Sequence, residues 1–132
     1  MNVIVCVDDS LGMLFNNRRQ SRDIVLTNKI IEMAADSRLL INEFSKSLFL
    51  ESNAVADENF LENAMEGDYC FVENCNLKQY EEKIEKLMVF KWNRKYPSDF
   101  FLDIELNNWN LIETTEFEGN SHEKITMEVY KK

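Results

Sequence analysis

Residues 1–9 read MNVIVCVDD. Val3, Ile4, Val5 and Val7 are β-branched, Cys6 is a small apolar side chain, and the carboxylates Asp8 and Asp9 end the run. A continuous apolar run of this length, without alternation, is the pattern of a strand buried on both faces, as in a parallel sheet. Ser10 to Asn17 reads as a loop, with Gly12 and the turn pair Asn16-Asn17. Ser21 is placed to cap a following helix, and Asp23 would lie in its first turn, where the helix dipole favours a negative charge. Ile24, Ile31 and Ala34 keep helical spacing, widened by Leu26, Ile30 and Met33, to an end near Ala35-Asp36.

The same punctuation continues down the chain. Leu39-Leu40-Ile41 reads as a second strand, and Asn42 to Leu50 as a helical turn or short helix. Asp57 to Met65 reads as a further helix, stopped by Gly67. Tyr69 to Val72 forms a third strand, Leu77 to Glu85 a polar helix, and Leu87 to Trp92 a fourth strand. Residues 101–106, 110–117 and 124–130 then alternate apolar and polar side chains, the pattern of strands with one solvated face. Glu118 to Glu123 is the connecting hairpin loop in that reading; a final helix capped by Ser121 is the alternative. The order predicts a single α/β domain over residues 1–132. It would be three-layered, with a mostly parallel sheet of about four strands and a C-terminal antiparallel extension.

Composition narrows the function. The 132 residues carry 15 Lys and Arg against 24 Asp and Glu, a net charge of −9. The excess is local: residues 51–82 hold nine acidic side chains and one lysine. A net negative chain repels a phosphate backbone, so broad binding of duplex nucleic acid is disfavoured. The segment reads as a solvated face or as an acidic surface for a basic protein partner. No apolar run has the length of a membrane span, and Met1 to Val7 is too short and too uncharged for a secretory signal, so a cytoplasmic protein is expected. Cys6, Cys70 and Cys75 are odd in number, and Cys6 and Cys70, inside apolar strand-like runs, read as buried reduced thiols. With His122 as the only histidine they fall short of a zinc site, and no spacing supports a Cys–His dyad. His122 reads as an exposed loop residue. The glycines at 12, 67 and 119 form no phosphate loop, GxGxxG or GxSxG motif. Trp92, Tyr96, Phe100, Phe101 and Trp109 surround Pro97; most belong in a core, and one or two exposed rings could stack a base.

Ligands of open parallel sheets bind beyond the carboxyl ends of the strands. Those ends place Asp8 and Asp9, Asn42 and Glu43, Glu73 and Asn74, and Asn93, Arg94 and Lys95 along one edge. Arg18, Arg19, Gln20 and Arg22 stand just before the first helix, a natural place for an anion. Arg18, Arg19, Arg22, Asn93 and Arg94 are therefore candidate ligands of a phosphate-bearing or other anionic molecule. Asp8, Asp9 and Glu73 are candidate ligands of Mg²⁺ or Mn²⁺, which would make the site a metal-dependent phosphodiesterase or ribonuclease. The plainer alternative makes Asp8 and Asp9 turn residues, and pairs the arginines with the acidic segment as surface salt bridges of little energetic weight.

Four strings carry a likeness: VCVDDSLGMLFNNRRQSRD (5–23), YCFVE (69–73), KWNRKYP (91–97) and SHEKIT (121–126). They resemble a family of small bacterial proteins often labelled ribonuclease Z, over nearly the whole chain. The resemblance implies no role for any residue. The two-zinc metallo-β-lactamase-fold enzyme of that name uses an HxHxDH motif and further histidines, and its zinc ligands fall on no residue here.

Overall fold

The computed structural model describes residues 1–132. The opening run is strand β1, Asn2–Val7. It lies in the middle of a seven-stranded sheet, with Val3, Ile4, Val5 and Val7 fully buried. Strands β2, Gly12–Phe15, and β3, Arg18–Arg19, follow as a hairpin. Helix α1 is Ile24–Met33, and β4 is Leu39–Ile41. Then come β5, Val55–Ala56, the single-turn helix α2, Phe60–Asn63, and β6, Tyr69–Phe71. Strand β7 is Lys86–Lys91 and β8 is Phe100–Phe101. The last strands are β9, Asn110–Phe117, and β10, Ile125–Lys131.

The large sheet runs β5-β4-β6-β1-β7-β10-β9. The first five strands are parallel, and β10 and β9 add to β7 in antiparallel fashion. The expected mostly parallel sheet with an antiparallel extension is therefore present, with β5 as a fifth parallel strand. A second sheet, β3-β2-β8, stands beyond the end of β1. Alternate residues of the central strands enter two cores. Val3, Val5, Val7, Leu87 and Val89 pack with Phe60, Leu61 and Trp109 on one face. Ile4, Phe71, Met88 and Phe90 pack under Leu26, Ile30 and Ala34 of α1 on the other. Each such buried side chain contributes about 1.5–3 kcal/mol.

Several boundaries depart from the pattern. Asp23, not Ser21, caps α1: its Oδ1 accepts from the Val25 amide at 3.0 Å. The expected loop at 10–17 contains β2, and its Asn16-Asn17 pair is the two-residue turn into β3. Both asparagines take the left-handed φ, 51° and 61°, that such hairpin turns require. The segments read as helices at 42–50 and 77–85 close as short 3₁₀ turns, Glu43–Leu48 and Lys78–Lys83. Crossovers this short do not repay α-helix nucleation. Alternation at 101–106 was a true signal of burial, since Leu102 and Ile104 are in the core. Beyond Phe101, where β8 ends, its backbone leaves the strand, and Asp103 accepts the amides of Leu77 and Lys78 at 2.8 and 3.1 Å. No helix is long and apolar enough to cross a membrane.

Candidate functional site

The chain lays β4, β5 and β6 on one side of β1, and β7, β10 and β9 on the other. Strand order thus reverses at β1, and the loops leaving β1 and β7 diverge. In sheets of this kind that divergence opens a crevice. Two neighbouring spaces occupy it. The inner one is a narrow slot of about 20 Å³ between the start of α1 and the sheet, lined by Cys6, Leu26, Phe71 and Trp92 with Ser21, Asp23 and Glu73 among its polar atoms. The outer one is an open groove of about 500 Å³ between the β2–β3 hairpin and the segment after β7. Its walls are Phe15, Asn16, Arg18, Arg19, Gln20, Tyr96 and Pro97. Arg19 and Gln20 belong to both.

Asp8 builds the groove rather than occupying it. Its Oδ1 accepts the amides of Ser10 at 2.9 Å and Gly12 at 2.7 Å. Its Oδ2 accepts the Tyr96 amide and the Ser98 hydroxyl, both at 3.1 Å. One buried carboxylate thereby ties the end of β1 to the loop that carries Tyr96. Burial pushes its pKa up, but the amides of Tyr96, Gly12 and Ser10 outweigh burial and hold it below the ordinary value.

Glu73 meets Arg19 in a two-pronged pair. Nε and Nη2 donate to its two oxygens at 2.8 Å each, and Arg19 Nη2 also donates to the Phe44 carbonyl at 3.0 Å. Ser45 Oγ donates to Glu73 Oε1 at 2.7 Å. This pair forms the floor of the slot. Cys6 lies beside it; burial, reinforced by the Glu73 charge, pushes its thiol pKa well up, so it stays a neutral packing residue.

The candidate metal ligands are not brought together. Asp9 is exposed, Asp8 has both oxygens engaged, and Glu73 is bound to Arg19. No three His, Cys, Asp or Glu side chains gather in a group able to hold a metal ion. Of the candidate anion ligands, Arg18 is exposed on the groove and makes no ion pair, and Arg22 is exposed at the slot. Arg19 serves Glu73. Asn93 turns away at a left-handed φ of 60° and donates to the Lys124 carbonyl and Thr126 Oγ1 at 3.1 and 2.9 Å. Arg94 reaches only the Ser121 carbonyl, at 3.5 Å. In the acidic segment Asp68 pairs with Arg38, and Glu81 accepts from the Trp109 indole, while Glu51, Glu58 and Glu66 stay exposed.

His122 corrects the expectation of an exposed loop residue: it is 4% exposed. Its ring stacks on Trp92, with centroids 4.6 Å apart. Nδ1 lies 2.9 Å from Asp23 Oδ2, and Nε2 lies 3.0 Å from Ser21 Oγ and 3.3 Å from the Tyr96 hydroxyl. Asp23 is itself fixed by the amides of Val25, Asn120 and Ser121, at 3.0, 2.9 and 2.8 Å. Burial pushes its pKa up, but the Asn120 amide, His122 and the remaining donors hold it far below the ordinary range. An ionised Asp23 only accepts, so the ring hydrogen sits on Nδ1 and the Nε2 lone pair faces the two hydroxyls. The sequence contained this cluster, but nothing local joins the SRD string at 21–23 to a histidine about a hundred residues away.

Gln20 Oε1 is buried with no donor in reach, while its Nε2 donates to the Pro97 carbonyl and Ser98 Oγ. An unpaired buried acceptor costs roughly 1–3 kcal/mol until something donates to it.

The sequence matches no protein-family model and no curated protein. The structure is similar to a solved dihydrofolate reductase from Enterococcus faecalis complexed with NADP(H) and RAB-propyl, with a TM-score of 0.69 at 11% identity. The match covers 98% of this chain and 94% of the other. The fold is therefore that of dihydrofolate reductase. This overturns the likeness to proteins labelled ribonuclease Z: the architecture is not that of a metallo-β-lactamase.

Proposed function

We propose that the groove binds a small phosphate-bearing ligand with a flat ring, of nucleotide type. The observation that carries this reading is the content of its walls. Phe15 is 42% exposed and Tyr96 lines the same groove, two rings able to stack on a flat ligand. Arg18 offers an unpaired guanidinium for phosphate. A volume of about 500 Å³ falls within the range of small-molecule sites. The reductase of the same fold is complexed with NADP(H), which agrees with a nucleotide-like ligand.

A whole dinucleotide fits these residues less well. Pyrophosphate recognition at a strand end relies on glycines that let the backbone approach. The one glycine near this edge, Gly12, is already hemmed in: a Cβ there would lie 2.0 Å from Ser98 Oγ and 2.9 Å from Asp8 Oδ1. The reading is therefore of a mononucleotide-sized ligand, with the phosphate on Arg18 and the ring between Phe15 and Tyr96. A divalent-metal site is not supported by these residues: Asp8 and Glu73 are engaged by other groups, and exposed Asp9 joins no cluster with them.

Thermal melting with AMP, NADPH and inorganic phosphate tests this. At ten times Kd, AMP should raise Tm by about 3–6 °C through mass action on the folded state. Arg18→Ala should weaken AMP binding about tenfold, the weight of one charge-assisted contact. Unchanged melting with all three probes at millimolar concentration would sink the reading.

A further inference from the structure

Ser21, His122 and Asp23 stand in a line that ordinary helix capping does not require. The helix N-terminus is already capped by Asp23 Oδ1. The other oxygen, Oδ2, holds the histidine at 2.9 Å, and the opposite ring nitrogen meets Ser21 Oγ at 3.0 Å. Asp23 and His122 are each 4% exposed, and Trp92 fixes the ring plane by stacking. A buried carboxylate, an imidazole held in one tautomer and a hydroxyl on its free nitrogen are the three parts of a nucleophilic relay.

The placement of the relay matters as much as its geometry. Ser21 lines the inner slot, and Tyr96 lines the outer groove. Both hydroxyls converge on His122 Nε2. The buried base is thus reached through Ser21 from the slot and through Tyr96 from the groove. The slot is narrow, about 20 Å³, room for about one water-sized group, so only the smallest acyl groups are candidates. Arg22 and Asp23 also line it, and their amides donate to no acceptor in the protein.

We propose that Ser21 is a nucleophile activated by His122, with Asp23 as the positioning residue, and that it hydrolyses short-chain acyl esters or thioesters whose leaving group carries a phosphate. The assignment of the leaving group rests on reading the groove as a site for a phosphate-bearing ligand. In the first step Ser21 Oγ bonds to the carbonyl carbon while its proton passes to His122 Nε2. The carbon–oxygen or carbon–sulfur bond then breaks, and the departing alkoxide or thiolate takes that proton. In the second step water attacks the acyl-serine, again giving its proton to Nε2, and Ser21 leaves with it as the free hydroxyl beside a carboxylic acid. No oxidant or metal enters either step.

Three measurements on the full chain decide the matter. A fluorophosphonate probe should add one phosphonyl group to the peptide containing Ser21, as seen by mass spectrometry, and Ser21→Ala should remove that adduct. Hydrolysis of p-nitrophenyl acetate and of acetyl-coenzyme A, the latter as the phosphate-bearing thioester, should fall at least 100-fold in Ser21→Ala. Asp23→Asn puts a donor against Nδ1 and reverses the tautomer, so it should lower kcat about 1000-fold with KM nearly unchanged, which a merely structural carboxylate would not do. No adduct on Ser21, or equal hydrolysis by wild type and Ser21→Ala, overturns the proposal. If AMP still shifts melting in that case, the ligand-binding reading stands and only the relay falls. If Ser21 is labelled while AMP and phosphate bind nowhere, the relay stands and the phosphate-bearing leaving group falls.

Discussion

At the scale of single residues, the site is built by side chains whose hydrogen-bonding capacity is already taken. Asp8 and Glu73 were legible as polar tips at strand ends, and both are there. What the sequence could not express is that each has a partner from a distant segment: the Tyr96 amide for one and the Arg19 guanidinium for the other. A carboxylate read alone looks like a metal ligand; the same group with four donors around it is a fastener. Arg19→Ala should therefore cost about 3 kcal/mol of stability, because it leaves Glu73 charged in the slot floor without its counter-ion. Urea unfolding would show this as a lowered midpoint, and Glu73→Gln should recover part of the loss in the double variant. Gly12→Ala should cost about 1–3 kcal/mol by the same measurement, since the new methyl would meet Ser98 Oγ at 2.0 Å and force the loop bearing Tyr96 to move.

At the scale of elements, strands were more legible than helices. The runs at 1–7, 69–72 and 87–92 announced themselves because each is buried on two faces, where any polar side chain would be costly. The helix expected at 57–65 is present but shortened to Phe60–Asn63, and the segment 77–85 closes as a 3₁₀ turn, so its apolar spacing marks side chains that reach the core without a continuous α-helix. The Asn16-Asn17 pair was read as a turn and is one, yet the strands on either side were too short to declare themselves. Its left-handed φ values carry a prediction. Glycine at the second position relieves the Cβ strain of a type I′ turn, so Asn17→Gly should raise stability by about 0.5–1 kcal/mol and Tm by a few degrees. A fall in Tm would mean that the Asn17 side chain supports the hairpin in some other way.

At the scale of the whole molecule, charge sets the working range. Asp8, Asp23 and Asp68 all have folded-state pKa values below the ordinary 3.8. For Asp8 and Asp23 burial opposes the shift and surrounding donors prevail, while for Asp68 the Arg38 guanidinium leads. The unfolded chain then binds protons more readily than the folded one in this range. Their contribution is complete above about pH 5 and drains away as pH falls through 4 and below. A fluorescence-monitored titration should show Trp92 losing its stacked neighbour together with global unfolding in that window; a Tm unchanged between pH 6 and pH 3 would contradict it. The fold class was legible at this scale because order and periodicity survive without contacts. Convergence at the site was not, because it depends on which loops diverge at β1.

Strand β9 closes the large sheet with eight residues, nearly all exposed, including Leu111 and Ile112 at about half their full area. Its outer row of amides and carbonyls is a template for another β-ribbon, and the strand itself contains no lysine or proline. Glu116 is paired with Lys124, which leaves Glu113 to guard the edge by repulsion between copies. Storage at acidic pH or in concentrated salt weakens that repulsion, and fibrillation seeded along this rim is the failure to expect in a purified sample.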